Sequence, residues 1–359
     1  MDLTSETVVE GVPAGLTCVA ERINGRLQAL FEAESERWRG VDPELAVPYE
    51  ALTRIVEAGG KRLRPAFCYF AYVGAGGDPD DSIVVDAGAA LELLHAFAII
   101  HDDIMDGSEL RRGAKSVHRN FTDMHADEHF KREPRRFGEG VAILIGDLAF
   151  VYADSLLEAA PPETRRIYTE LRLEVNVGQY LDLIGTARGK PTVDLAERIC
   201  VYKSGKYTVE RPLHIGASLA HAHPRVLDQL SSFGIPLGEA FQLRDDMLGA
   251  FGDPVVIGKP VGEDLREGKP TSLVALTLER IAGHERELFL DLFNRDEHDE
   301  ADLATMLGLI EASGARAMVE SRIDQLVSRS LEALEAADLE AEPTRRLAEL
   351  AIFVANRSL

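Results

Sequence analysis

Residues 87–106 read AGAALELLHAFAIIHDDIMD, an apolar run that leads directly into a cluster of aspartates. The apolar side chains recur at intervals of three and four, as Leu91 and Leu94 do, which predicts an amphipathic helix. No glycine or proline interrupts the sequence between Leu91 and the aspartates, so the cluster is expected on the same helix. Because residues four apart share a helical face, Asp102 and Asp106 could hold the same hard cation. Acids this close repel one another, which makes the cluster a candidate functional site; an exposed acidic helix end is the alternative.

The rest of the chain shows the same helical spacing, and alternating runs of β-branched residues are almost missing, which predicts an all-α fold. Short stretches of glycine and proline separate the apolar runs, as expected for helices joined by short loops. We predict one all-α domain over residues 18–359, preceded by a loose tail at 1–17. Two charge-rich segments, 122–140 and 254–270, are predicted to be loops or surface insertions.

The composition excludes several classes of function. The chain of 359 residues carries 61 acidic and 39 basic side chains, a formal net charge of −22, and 45% of its residues are hydrophobic. This content suits a folded globular protein, and the acidity disfavours binding to nucleic acid or to an anionic membrane surface, which need a positive field. Most of the acids are expected to serve solubility, and a few to hold metal ions.

The cysteines and the N-terminal sequence predict a cytoplasmic protein. Cys18, Cys68 and Cys200 are odd in number, far apart and free of CxxC spacing, so neither a disulfide framework nor a zinc site is expected. The first residues are acidic and polar, unlike a signal peptide. The apolar stretch at 87–100 is interrupted by Glu92 and His95 and is too short and too polar to cross a bilayer, so no stable membrane insertion is expected.

A second acidic pair follows about 140 residues later, in the sequence FQLRDDMLG at 241–249. Asp245 and Asp246 again end an apolar helical run, and Gln242 lies three residues before Asp245, on the same face. These ligands are all oxygen atoms, and no histidine or cysteine has zinc-site spacing nearby. They favour magnesium, which combines a few carboxylates with waters and phosphate oxygens.

Basic residues occur where phosphates would need them. In GGKRLRP (59–65), Lys61 and Arg64 are three apart, which predicts a shared face in the first turn of a helix. The sequence LRRG (110–113) follows the first acidic cluster closely. Arginine binds phosphate oxygens through two parallel hydrogen bonds, and lysine supplies a point charge. The same interpretation extends to Lys203, Lys259 and Lys269.

Together these motifs closely resemble the polyprenyl synthetase family, the head-to-tail isoprenyl diphosphate synthases. The resemblance runs from about residue 56 to residue 271 and keeps the order GGKRLRP, DDIMD, LRRG, ILIGDLAF, GQYLDL, YKSGK, FQLRDD and GKPVGEDLREGKPT. Each motif is modest, but the ordered set is very specific. The resemblance implies an isoprenoid synthase-type helical bundle, usually a homodimer, with the two aspartate-rich motifs facing each other across a central cavity.

The resemblance also implies roles for single residues. Magnesium, in three ions, would be coordinated by Asp102, Asp106 and Asp245. The residues implied in catalysis are these three aspartates together with Asp103, Asp246 and Lys203. Isopentenyl diphosphate would be bound by Lys61, Arg64, His95 and Arg112. The allylic diphosphate would be bound by Arg111, Lys203, Ser204, Gln242 and Lys259, and Lys269 is a further candidate for substrate binding. Helical spacing independently supports His95, which lies seven residues before Asp102 and so on the same face.

The sequence departs from the family pattern at two positions. Gly249 stands where many members have a third aspartate, although Asp253 lies close enough in sequence to help. Ser204 replaces a common threonine and keeps the hydroxyl group, so little change is expected.

The implied reaction is ionisation of the allylic diphosphate, attack by isopentenyl diphosphate on the carbocation, and loss of a proton. Family members use the residues before the first aspartate, here Leu94, Phe97 and Ala98, as the floor of the chain pocket. One aromatic residue among them resembles a geranylgeranyl (C20) synthase, although Phe97 could also be an ordinary core residue. The alternatives are a farnesyl or longer-chain synthase and a non-catalytic regulatory subunit. A class I terpene cyclase is disfavoured, because it does not need two diphosphate pockets.

Overall fold

The computed structural model describes residues 12–252 and 262–356, which are almost entirely helical. The predicted all-α class is therefore confirmed. The helices are α1 (Ala14–Arg39), α2 (Val47–Glu57), α3 (Leu63–Gly74), α4 (Ser82–Asp106), α5 (Val117–Asp127), α6 (Pro134–Leu156), α7 (Pro162–Arg188), α8 (Val193–Ile199), α9 (Arg211–Leu219), α10 (Pro224–Phe251), α11 (Glu263–Arg266), α12 (Ser272–Arg280), α13 (Gly283–Phe293), α14 (Glu300–Ser313), α15 (Ala315–Glu335) and α16 (Ala341–Ala355). A 3₁₀ turn at Pro43–Ala46, a π-helical segment at Cys200–Glu210 and a small hairpin of β1 (Leu110–Arg111) and β2 (Ala114–Lys115) complete the described secondary structure.

The chain divides into two compact units. The first contains the described residues up to Arg165 together with Ile215–Ala222 and Glu340–Arg346. The second contains Arg166–His214, His223–Leu339 and the described residues from Leu347 onward. The single domain at 18–359 stays a prediction. Its N-terminal boundary needs adjustment, because α1 begins at Ala14 and so includes the last residues of the predicted tail; residues 1–11 lie outside the described part.

Helix α4 is the core helix of the first unit. The Asp81 carboxylate caps its start by accepting a hydrogen bond from the backbone N–H of Ile83 at 2.9 Å. Leu91, Leu93 and Leu94 are all fully buried, and the helix contacts α1, α3 and α6. By length and composition, α4 could cross a membrane, contrary to the prediction from its apolar stretch alone, but 61% of its apolar window is buried, as in a core helix.

In the second unit, α10 and α15 pack against each other beside the shorter helices α12, α13 and α14. Buried side chains from all five helices form one apolar cluster, with Met247, Leu278, Phe289, Met306 and Ile323 among its members. Pro236 lies inside α10, where it removes one backbone hydrogen bond without ending the helix. The C-terminal half of α10 carries the second aspartate motif.

The segment 122–140 is not the predicted loop or mobile surface insertion. Helix α5 extends to Asp127 and α6 begins at Pro134, so only a short connection separates them. His125 is 2% exposed, and its ring packs against Phe130 and Phe137 with centroids 5.7 and 5.1 Å away. The many charged residues of this segment made its apolar helical face difficult to recognise in the sequence. In the other predicted loop, 254–270, residues 254–261 lie outside the described part, and α11 occupies Glu263–Arg266.

Candidate active site

The first aspartate motif forms the last turn of α4, as its sequence predicts. Asp102 and Asp106 are half-buried and one helical turn apart, so their carboxylates lie on one face. Asp103 is different, because it is only 1% exposed. Its carboxylate accepts a hydrogen bond from Nε of Arg111 at 2.8 Å and a second, shorter one from Nη2. The same Nη2 lies 3.7 Å from the Asp102 carboxylate, so Arg111 offsets part of the charge of this cluster.

The LRRG sequence owes its geometry to a hairpin that sequence reasoning missed. Leu110 pairs with Lys115 and Arg111 with Ala114, and the two turn residues Arg112 and Gly113 both have positive φ, 53° and 76°. A two-residue hairpin turn of this kind requires positive φ at both positions, which explains the glycine. Arg112 donates a hydrogen bond to the carbonyl of Gly59. The two neighbouring arginines therefore have different partners. Arg111 binds the aspartates of α4, and Arg112 binds the backbone of the GGK loop.

The GGKRLRP motif also departs from its predicted geometry. Helix α3 begins at Leu63, and Arg62 just before it is left-handed, with φ of 52°. Lys61 is exposed and precedes the helix, so the prediction that it shares a helical face with Arg64 is wrong. Gly60 has φ of 140°, and a Cβ there would lie 2.8 Å from Nη1 of Arg62. The glycine thus leaves room for a buried arginine side chain.

Arg62 was not among the predicted functional residues, yet its side chain is buried and makes three polar contacts. It is 6% exposed and forms an ion pair of 2.7 Å with Glu92 of α4. It also donates hydrogen bonds to Asn24 Oδ1 at 2.9 Å and to the Val56 carbonyl at 2.7 Å. The signal in the sequence was Glu92, a carboxylate inside an apolar helical run, which must find a partner when buried.

His95 lies among arginines in the first unit. Burial lowers its pKa well below the usual range, and the neighbouring charges of Arg64, Arg112 and Arg111 lower it further, so the ring is neutral at pH 7. Burial also lowers the pKa of Arg112, against the opposing effect of Glu92. Cationic groups that repel one another in a partly buried place favour a bound anion. This group of residues therefore suits a diphosphate.

The second unit has a pocket that contains most of the other predicted residues. Its walls come from α7, α8, the π-helical segment, α10 and the chain around α11 and α12. The predicted residues that line it are Lys203, Ser204, Gln242, Asp246 and Lys269. Sequence reasoning missed Asp182, Asp264 and Thr271 as lining residues, although all three lie within motifs that carried the resemblance. Asp245 is half-buried and is not among the lining residues, and Lys259 lies outside the described part of the chain.

Acidic and basic side chains are paired around this pocket. Lys203 Nζ lies 2.6 Å from Oδ2 of Asp182, and Lys269 Nζ lies 2.7 Å from Oε2 of Glu267 and 3.9 Å from Oδ1 of Asp264. Gln242 donates a hydrogen bond of 2.7 Å to Oδ1 of Asp246. Burial raises the pKa of Asp246 to about 8, and the charge of Asp264 contributes to the rise. A carboxyl group in such surroundings gains most from a nearby cation.

Gly249 lies next to the carboxylate of Asp264 in the folded chain. A Cβ at this position would lie 2.8 Å from Oδ2 of Asp264. An aspartate here would bring a further carboxylate towards that of Asp264, and the two like charges would repel each other. Asp253, the substitute considered from the sequence, lies outside the described residues.

The three candidate chain-length residues differ in burial. Leu94 is fully buried, whereas Phe97 and Ala98 are half-buried. The Phe97 ring packs against Phe150 of α6, with centroids 4.9 Å apart, and against His101 at 4.6 Å. Phe97 therefore belongs to an aromatic cluster at the α4–α6 contact, and Leu94 to the core.

The donor atoms fit magnesium better than a metal held entirely by protein. Across residues 12–252 and 262–356, no group of three histidine, cysteine, aspartate or glutamate side chains is arranged to hold a metal ion. Magnesium commonly takes one or two carboxylates together with waters and substrate phosphates. The carboxylates of Asp102 and Asp106 match that requirement.

Comparisons with known proteins agree with the motif order. The profile of the polyprenyl synthetase family matches residues 46–310. The short chain isoprenyl diphosphate synthase of Methanothermobacter thermautotrophicus is 30% identical over 340 residues, which cover 92% of this chain and 97% of the relative. The geranylgeranyl diphosphate synthase of Sulfolobus acidocaldarius is 33% identical, covering 73% of this chain and 76% of the relative.

A solved structure of a related enzyme is similar to this chain over almost its whole length. Geranylgeranyl pyrophosphate synthase from Corynebacterium glutamicum, complexed with isoprenyl diphosphate and magnesium, has a TM-score of 0.90 and 36% identity, covering 95% of this chain and 99% of its own. Other relatives are named farnesyl or nonaprenyl diphosphate synthase, so the names leave the product length open. These matches confirm the predicted resemblance: the chain belongs to the polyprenyl synthetase family and is a trans-prenyltransferase with the all-α isoprenoid synthase fold.

Proposed function

We propose that the protein condenses isopentenyl diphosphate with an allylic diphosphate, and that its main product is geranylgeranyl diphosphate. The observation that carries this proposal is the presence of two separate basic groups. One surrounds His95 in the first unit, and the other includes Lys203 and Lys269 in the second unit's pocket. An enzyme that joins two diphosphates needs two such anion sites, whereas a cyclase or a simple hydrolase needs one.

The first basic group is assigned to isopentenyl diphosphate. We assign its binding to Lys61, Arg64, His95 and Arg112. Neutral His95 can donate a hydrogen bond from one ring nitrogen to a phosphate oxygen, and the arginines supply the charge. The hairpin turn fixes the backbone at Arg112, and the left-handed residue Arg62 fixes the start of the helix that carries Arg64. Both backbones are therefore in place before the substrate binds.

The second basic group is assigned to the allylic diphosphate. We assign its binding to Arg111, Lys203, Ser204, Gln242, Lys259 and Lys269. Lys203 and Lys269 face Asp182 and Asp264 in the same pocket, so their charges are already partly balanced. An incoming diphosphate would compete with these carboxylates unless cations accompany it, which agrees with a metal requirement.

Asp102, Asp106 and Asp245 are the proposed magnesium ligands, for three ions in total, with Asp103 and Asp246 in support. Bound magnesium would neutralise the departing diphosphate. The protein's own contribution is to fix the carboxylates and the basic side chains in place before the allylic carbon–oxygen bond breaks. Arg111 holds Asp103 and lies near Asp102, which keeps the last turn of α4 fixed. The released diphosphate could accept the proton lost in the final step.

We further propose that the enzyme is a cytoplasmic homodimer. Its three cysteines are free, which suits a reducing compartment. Helix α7 presents Leu173, Val177 and Tyr180 at a spacing of four and three residues, and these side chains are 56%, 52% and 65% exposed. An apolar stripe of this kind is typical of a surface that another subunit covers.

A product assay tests the main proposal. The purified protein is incubated with isopentenyl diphosphate, magnesium and dimethylallyl, geranyl or farnesyl diphosphate in turn, and the products are sized by chromatography. We expect elongation that stops mainly at twenty carbons, is lost with EDTA and returns with added magnesium. No elongation with any primer would contradict the enzyme proposal and favour a regulatory subunit.

The Phe97→Ala variant is expected to lengthen the product. Removing the ring opens space beside Phe150 and His101, into which a growing chain could extend. The measurement is the distribution of product lengths at equal conversion. Phe130→Ala removes an exposed ring, 48% accessible, and serves as the control that should keep the wild-type distribution. An unchanged distribution for Phe97→Ala would show that this residue serves only the packing of α4 against α6.

A further inference from the structure

The π-helical segment Cys200–Glu210 carries two of the residues assigned to the allylic diphosphate. Lys203 and Ser204 both line the pocket of the second unit. A π-helix places its hydrogen bonds between residues five apart, and it is rare because its geometry is less favourable than that of an α-helix. Relaxation to α-helical bonding would rotate Lys203 and Ser204 relative to the pocket. Contacts outside the segment must therefore hold it.

Helix α7 supplies these contacts through one stripe of residues. Glu174, Gly178 and Asp182 are spaced by four residues, so they lie on the same face. Asp182 pairs with the Lys203 ammonium at 2.6 Å. At Gly178 the two backbones approach so closely that a Cβ would overlap the backbone nitrogen of Lys203. Gly178 thus fixes the backbone of Lys203, and Asp182 fixes its ammonium group.

Glu174, at the start of the stripe, holds the other half of the segment. One carboxylate oxygen accepts hydrogen bonds from Lys206 Nζ at 2.5 Å and from Arg211 Nη2 at 2.7 Å. The other oxygen accepts one from Arg211 Nε at 2.6 Å. Lys206 lies within the segment and Arg211 directly follows it, so one carboxylate joins two points five residues apart.

These ion pairs are protected from solvent. The Glu174 side chain is 13% exposed, that of Lys206 20% and that of Arg211 18%. Burial acts to raise the pKa of Glu174, but the hydrogen bonds from Arg211 and Lys206 outweigh it and lower that pKa overall. The Lys206 ammonium also lies 5.2 Å from the centre of the Tyr202 ring, next to Lys203. Screening by water is therefore weak, and loss of the Glu174 carboxylate would remove the hydrogen-bonded counterion of Lys206 and Arg211, although the charges of Glu210 and Glu170 still act on Arg211.

We propose that Glu174 is a positioning residue for the allylic-diphosphate site. Through Lys206 and Arg211 it keeps the segment π-helical, and thereby keeps Lys203 and Ser204 directed into the pocket. Glu174 itself does not line that pocket. The proposal rests on the assignment of Lys203 and Ser204 to the allylic diphosphate under the proposed function.

The test is steady-state kinetics of the full-length Glu174→Gln enzyme with magnesium. Glutamine keeps the shape and one acceptor oxygen but loses the charge. We expect the KM for the allylic diphosphate to rise about tenfold, a typical size for the loss of one coupled interaction, with the KM for isopentenyl diphosphate almost unchanged. Asp302→Asn is the matched control, because Asp302 is 19% exposed and pairs with Arg295 at 2.9 Å away from the pocket lining. It should leave both KM values unchanged.

Lys206→Met gives a second variant in case Glu174→Gln does not fold. It should show the same selective rise in KM, but a smaller one, because Arg211 still pairs with Glu174. In the double variant the rise should not exceed that of Glu174→Gln alone. Unchanged KM values in a folded variant, or equal rises for both substrates, would overturn the proposal. A wild-type protein without any elongation would instead overturn the proposed function.

Discussion

Replacing Asp102 with alanine is expected to lower kcat about a thousandfold, the order of magnitude found when one preorganised stabilising group is removed from an active site. Asp102 lies in the last turn of α4 and shares a face with Asp106, so the substitution divides the carboxylate pair proposed to bind magnesium. It also removes the carboxylate that lies 3.7 Å from the Arg111 guanidinium, while the hydrogen bonds of Arg111 to Asp103 stay. The leaving diphosphate would then lack part of its neutralising charge.

A control on the same helix separates this effect from damage to the fold. Asp86, also on α4, pairs with Arg26 at 2.6 Å and is 29% exposed, and Asp86→Ala should keep kcat near the wild-type value. The kinetic measurement is kcat at saturating substrates over a range of magnesium concentrations. Binding of Mn²⁺, followed by its electron paramagnetic resonance, should weaken in Asp102→Ala and stay normal in Asp86→Ala. A kcat within threefold of wild type would exclude Asp102 as a metal ligand.

The sequence predicted the parts of the site that depend on spacing along one helix. Asp102 and Asp106 share a face because α4 continues through the motif without a break, as the apolar run indicated. The acid at Asp103 shows the limit of that reasoning, because it lies on the same turn but points into a buried ion pair. Helical periodicity gives the direction of a side chain, but its partner comes from another element.

The features missed in the sequence all depend on such partners. The hairpin of Arg111 and Arg112 has too few residues to show strand alternation, and the π-helical segment has no composition that separates it from an α-helix. Asp182 becomes visible as a site residue only when α7 meets the backbone of Lys203. Asp264 lies beside Gly249 although fourteen residues separate the two in the sequence. Local sequence cannot specify these contacts, because packing determines them.

Replacing Glu92 with alanine should cause the largest loss of stability, about 3–5 kcal/mol of unfolding free energy, the range for breaking one side of a buried ion pair. Glu92 and Arg62 are 5% and 6% exposed, and no water can replace the lost carboxylate easily. The Arg62 guanidinium would keep its bonds to Asn24 and Val56 but would lose its countercharge. The substitution would also loosen the left-handed turn that precedes α3, so the KM for isopentenyl diphosphate should rise.

A double replacement distinguishes loss of charge balance from loss of packing. In Arg62→Met/Glu92→Met both charges are removed and most of the volume is kept, so we expect the double variant to be clearly more stable than Glu92→Ala. Arg62→Met alone should be destabilising too, because it leaves the Glu92 carboxylate buried without its partner. The measurement is the urea midpoint of the purified proteins. If the losses of Arg62→Met and of Glu92→Met alone simply add in the double variant, the ion pair is not coupled, and the turn before α3 must be held by the hydrogen bonds of Arg62 to Asn24 and Val56 instead.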